Sequence, residues 1–127
     1  MQTTQHILVV EDDSTLASLE VEVLTAHGYT VVTVRSGELA ITTLRHLIPD
    51  LVVLDLELIG NINGWEVLQE LRTIAHIPVL ITSSSAVAVR TYMRDSGETR
   101  CTLDHLPKPY PMQILLKRVK RMLPMTS

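Results

Sequence analysis

The chain has no phenylalanine, a single cysteine and an aromatic content of only 3%. With so few rings, Val, Leu and Ile must fill its core, and hydrophobic residues do make up 46% of the chain. Branched aliphatics suit strands buried between helices. The lone thiol, Cys101, excludes an intramolecular disulfide and fits a reducing cytoplasm. No apolar run approaches the roughly 20 residues that span a bilayer. The opening MQTTQH has neither the charged nor the apolar part of a secretion signal. A formal net charge of −3 argues against broad nucleic-acid binding. Repeats, linkers and low-complexity tracts are missing too. The 127 residues therefore read as one domain, 1–127, with a core over about 5–123 and nothing left over for an output domain.

What the chain does contain is a run of four apolar residues, Ile7 to Val10, ending in Glu11, Asp12 and Asp13. The run reads as a strand buried on both faces. Like charges crowded at its end repel and raise one another's pKa, and a cation relieves that most readily. Hard oxygen ligands select Mg²⁺, Ca²⁺ or Mn²⁺. The same acids also suit a plain helix N-cap. A second run, LVVLD at 51–55, ends in Asp55; a third, PVLITSS, ends in hydroxyls; LDHLPKP ends in Lys108 before Pro109. In an open parallel sheet such strand ends converge on the ligand-binding crevice.

Between the strands lie amphipathic segments. The pattern predicts strands over about 6–10, 29–34, 51–54, 79–82 and 103–106. Helices are expected over about 14–27, with Ser14 as N-cap and Gly28 past the end, and over 36–47, stopped by Pro49. A third opens at Asn63, with Glu66 completing a capping box, and carries Val67, Leu68, Leu71, Ile74 and Ala75 at helical spacing. The fourth lies somewhere in 85–96, where Val87, Val89 and Thr91 are poor helix formers. The last starts near Pro111 and ends about Leu123. Its Lys117, Arg118, Lys120 and Arg121 read as a solvated face, and Trp65 as a packing residue at a helix start. Five βα units with short loops imply a doubly wound α/β sheet with helices on both faces.

Taken jointly, these residues resemble the receiver domain of two-component response regulators, in its stand-alone single-domain form. The resemblance implies a flavodoxin-like five-stranded parallel sheet in the order 2-1-3-4-5. It implies Asp55 as phosphoacceptor and Mg²⁺ as cofactor. The metal would be held by Asp12, by Glu11 through water, by Asp55, and by the backbone carbonyl of Glu57. Lys108, before Pro109, would contact the phosphoryl group. Ser83, five residues after Pro78, would be the sensing hydroxyl, with Thr82 as a neighbouring candidate. His105 stands where the family's switching aromatic usually does. The phosphodonor would be a sensor histidine kinase or a histidine phosphotransfer protein, in the cytoplasm. A downstream protein would dock on the face of the fourth helix, fifth strand and fifth helix. No nucleic-acid or membrane partner is expected, and the chain would be a monomer or a phosphorylation-dependent dimer. Apart from its own phosphoryl transfer and autodephosphorylation it would not be an enzyme.

The chain also departs from the family pattern. ELIGNING carries one extra residue, Ile59 stands in place of the usual proline, the interval from Ser83 to Lys108 is longer, and RCTLDH replaces the usual Gly-Ala. The β-branched residues of the fourth helix and its polar tail, Asp95 to Arg100, predict low local stability there and a signal carried by ordering of residues 84–100. Two rival readings stand beside this one. A small aspartyl-phosphate phosphatase or phosphotransferase would use Glu57 as its second acid, although 127 residues leave no room for a substrate cap. A receiver-like scaffold would bind partners without phosphorylation.

Overall fold

The computed structural model describes residues 4–124; the first three residues of the MQTTQH segment lie outside that range. Strands and helices alternate without exception: β1 (His6–Val10), α1 (Ser14–Ala26), β2 (Thr30–Val34), α2 (Gly37–His46), β3 (Leu51–Asp55), α3 (Gly64–Ile74), β4 (Val79–Ser83), α4 (Ala86–Ser96), β5 (Leu103–Pro107) and α5 (Met112–Met122). All strands pair in parallel in the order β2-β1-β3-β4-β5. The expected fold class and strand order therefore hold.

The aliphatic core divides at the sheet. On one side Val52, Leu54, Val79 and Ile81 meet Leu44 of α2, Leu68 and Leu71 of α3, and Val89 of α4. On the other, Ile7, Val53, Leu80 and Leu106 meet Leu24 of α1 and Leu115 and Val119 of α5. Strand residues alternate between the faces, and both faces are covered. That is why β3 and β4 are buried at every position while the edge strand β2 is not.

Several local expectations need correction. The N-cap of α1 is Asp13, not Ser14: its backbone is extended, and Oδ1 accepts from the amides of Thr15 and Leu16 at 3.0 and 3.2 Å. A carboxylate there also meets the positive end of the helix dipole. Tyr29 precedes β2, its amide closing the end of α1 on the Leu24 carbonyl. Pro111 is the N-cap of α5, held extended at ψ 151°, with the first helical residue one later. Helix α4 does form, over residues 86–96, although its cap Ser85 makes no side-chain hydrogen bond and only Val89 of it is fully buried. On α5 the basic face is not simply solvated. Arg118 donates to the His105 carbonyl at 2.7 Å, and Arg121 and Arg118 pair with buried Asp104 of β5. The capping box at Asn63 and Glu66 is present as expected.

One glycine decides how the β3–α3 loop sits. A Cβ on Gly64 would stand 2.4 Å from the Asp55 carbonyl oxygen and 2.4 Å from the Leu56 Cα. Only glycine lets the start of α3 close against the end of β3.

Candidate functional site

The C-terminal ends of β1, β3, β4 and β5 bring Glu11, Asp12, Asp55, Ser83 and Lys108 to one edge of the sheet. Oxygens of Glu11, Asp12 and Asp55 lie within 4.8 Å of one another. Asp55 and Glu11 are each only 2% exposed. Burial and the neighbouring Asp55 carboxylate push the Glu11 carboxyl up to about 8. Glu11 Oε2 accepts the Asp13 amide at 3.3 Å, while its Oε1 is buried with no hydrogen-bond partner among the described residues. Asp12 Oδ2 accepts the Ile59 amide at 3.0 Å, which ties the lengthened ELIGNING loop to the acid cluster.

Two donors grip Asp55 Oδ1: the Glu57 amide at 2.8 Å and Lys108 Nζ at 2.9 Å. Burial acts to lower the Lys108 pKa, but Asp55, Glu11 and Glu57 outweigh it and hold it raised. The Lys108–Pro109 peptide is cis, and the Lys108 amide donates to the Ser83 carbonyl at 3.0 Å.

Ser83 and Thr82 fall on opposite faces. Ser83 alternates with Ile81 on the α4 side, and its Oγ accepts the Ser85 amide at 2.9 Å. Thr82 alternates with Leu80 on the α1/α5 side. Ser84 reaches the site as well, donating its amide and hydroxyl to Glu57 Oε1 at 3.0 Å each. Glu57 thus offers the site its side chain, where the receiver resemblance implied only its carbonyl. His105 is half-buried beside Ser83 and Arg90. Burial holds its pKa below the ordinary value, and its Nε2 has no partner among the described residues.

Sequence reasoning missed a pair behind the site. Glu20 of α1 is 1% exposed, and Tyr110 donates to its Oε1 at 2.7 Å. Burial pushes the Glu20 carboxyl up to about 7, with Asp55 adding to the rise. A signal for it existed. Ala17, Glu20 and Leu24 share the buried stripe of α1, so the acid stands at an apolar phase of the helix.

The acid cluster suits a hard divalent cation. The oxygens it offers are carboxylate oxygens, and one of them, Glu11 Oε1, is buried with no donor to satisfy it among the described residues.

Comparison with known proteins agrees with this architecture. Residues 7–120 match the model of the response regulator receiver domain. The chain is 35% identical over 117 residues to the DNA-binding response regulator MtrA of Mycolicibacterium paratuberculosis, covering 91% of this chain and 50% of that protein. It is 33% identical over 124 residues to the response regulator MprA of Mycobacterium sp. strain KMS, covering 96% of this chain and 52% of that one. The chain therefore spans about half the length of these curated relatives. Among solved structures it resembles the N-terminal domain of a response regulator/sensory box/GGDEF three-domain protein from Carboxydothermus hydrogenoformans. That match has a TM-score of 0.79 and 27% identity, covering 94% of each chain. With its sheet order, its converging strand ends and a family match over nearly its whole length, the chain belongs to the response regulator receiver domain family.

Proposed function

We propose that this domain is a phosphorylation-controlled signalling module whose phosphoacceptor is Asp55. The observation that carries the reading is the state of that carboxylate: buried at a strand end, one oxygen gripped by Lys108, with the Glu11 and Asp12 carboxylates close by. An Asp55 oxygen attacks the phosphorus of a phosphohistidine. The P–N bond breaks, the imidazole leaves with its electron pair, and an acyl phosphate remains on Asp55. Glu11, Asp12, Asp55 and the Glu57 carbonyl would hold Mg²⁺, which when bound offsets the repulsion between a carboxylate and an anionic phosphoryl group. Lys108 orients Asp55 beforehand and then places its charge on a phosphoryl oxygen. Ser83 supplies a hydroxyl to the modified site, and His105 lies beneath α4 where a switching side chain would act.

The donor is a histidine kinase or histidine phosphotransfer protein. The output is a protein that docks on the face of α4, β5 and α5, in a cytoplasmic setting, with this chain as a monomer or a phosphorylation-dependent dimer. Apart from this self-modification we propose no enzymatic role. The phosphatase reading would use Glu57 as its second acid; in the unmodified protein that carboxylate accepts from Ser84 and pairs with Lys108. The relatives named MtrA are DNA-binding. That property belongs to chains about twice as long, and for this domain we propose no nucleic-acid contact of its own.

The test is intact mass after incubation with Mg²⁺ and acetyl phosphate. One labile phosphoryl adduct is expected, and Asp55→Asn should abolish it. An adduct that survives in the variant would sink the assignment.

A further inference from the structure

We propose that the Glu57 carboxylate is an internal occupant of the phosphoryl seat, so that modification of Asp55 requires Glu57 to be displaced. The proposal rests on Asp55 being the phosphoacceptor and assigns a further role at that same site.

Three donors converge on one oxygen of Glu57. Its Oε1 accepts the Ser84 amide at 3.0 Å and the Ser84 hydroxyl at 3.0 Å, and lies 3.4 Å from Lys108 Nζ. The same ammonium is 2.9 Å from Asp55 Oδ1. An anionic oxygen is therefore already seated, beside Asp55, on the cation that grips Asp55. A phosphoryl group on Asp55 brings anionic oxygens that need this ammonium and the nearby N–H and O–H donors. Two anions on one donor set repel each other, so one must leave.

Glu57 is built to be the one that leaves. It stands two residues after Asp55, so its tether returns it at high effective concentration whenever the seat is empty. Its side chain is 42% exposed, so it can swing into water without burying a charge. As a carboxylate open to water it is an anion at neutral pH.

Displacement also has a route outward. Losing Glu57 frees both donors of Ser84, in the three-serine turn that leads into α4, and the cap of α4 makes no side-chain hydrogen bond of its own. The contact thus opposes modification and restrains the α4 end of the turn in the unmodified protein.

The experiment compares wild type, Glu57→Gln, Glu57→Asp and Glu57→Ala in the full chain. Acetyl phosphate is the donor, at saturating Mg²⁺, and intact mass follows the adduct. The Ser84 amide NMR signal is recorded before and after modification. Gln removes the charge. Asp keeps it but is one methylene too short to reach Ser84 and Lys108 together. If occupancy is what matters, all three variants gain the adduct faster, by about tenfold, the weight of one charge-assisted hydrogen bond. The Ser84 amide should then shift in each variant, and in wild type on modification. Rates unchanged in every variant, or Asp matching wild type while Gln and Ala accelerate, would overturn the proposal. The second pattern marks a general field effect. A Ser84 amide unmoved by modification overturns it as well. A wild-type chain that gains no Asp55-dependent adduct instead removes the phosphoacceptor reading itself, and the role of Glu57 falls with it.

Discussion

Lys108 Nζ donates to Asp55 Oδ1 at 2.9 Å, joining residues 53 positions apart across the breadth of β4. Asp55 is buried, Lys108 is mostly so, and the Glu11 carboxyl stands nearby with no cation of its own. The lysine thus offsets a buried negative charge in the protein as it stands.

Lys108→Ala should therefore destabilise the protein as well as slow modification. It leaves a buried carboxylate uncompensated, at a cost of about 2–3 kcal/mol. Urea denaturation without Mg²⁺ measures the loss. A variant as stable as wild type would mean that the pair contributes nothing to folding.

Mg²⁺ should raise the melting temperature, since a ligand that binds only the folded state stabilises it by mass action. Asp12→Asn should remove that increment, and isothermal titration should show the loss of binding directly. An undiminished increment in the variant would reduce Asp12 to its contact with the Ile59 amide.

Glu20 predicts a pH dependence with a definite sign. Its folded pKa, about 7, lies above the ordinary value of 4.5 because the carboxyl is buried. Between those values the folded state binds more protons than the unfolded one, so stability falls as pH rises through the window and then levels off. The loss attributable to Glu20 is on the order of 3 kcal/mol. Glu20→Gln should keep the Tyr110 contact and flatten this part of the profile, measured by denaturation at pH 5 and pH 8. An unchanged slope would show that Glu20 is charged throughout.

A clamp at the far end of α4 predicts where the signal travels. Arg72 donates to both oxygens of Glu98, at 3.0 and 2.7 Å, and to the carbonyls of Ile77 and Thr102. The two side chains are only 13% and 9% exposed. Arg72→Ala should cost about 3 kcal/mol, because it strands Glu98 and the Ile77 carbonyl, while the Thr102 carbonyl keeps the Val79 amide. Since the clamp holds the C-terminal end, a phosphoryl mimic should change hydrogen exchange most over residues 84–92. Equal change over 93–102 would show that the clamp does not hold. No change anywhere in 84–100 would show that this segment is not the switch.

Much of this molecule was legible in order along the chain. A parallel sheet covered on both faces demands near-continuous aliphatic runs, so LVVLD and PVLIT announced strands. The residue after each run then fell at the site because parallel strands all end on the same edge. Asp55, the acid cluster and Lys108 were found that way. Asn63 and Glu66 could be read because a capping box is a local exchange between residues three apart. Helix α4 was the least certain, since its β-branched residues oppose helix and its formation depends on Val89 packing into the core.

Other features had no one-dimensional signature. The sequence alone determined the alternation of elements, the sheet class and which strand ends carry charge, because periodicity and composition act over a few residues. The tertiary structure decided which groups touch. It gave Glu57 to Ser84 and Lys108, Glu20 to Tyr110, Arg72 to Glu98, and Arg118 and Arg121 to β5. Several of these polar contacts are between residues more than 20 positions apart, and each depends on strand register and helix rotation together. A charge at a given position in the chain does not reveal its partner until the core has set the distance between them.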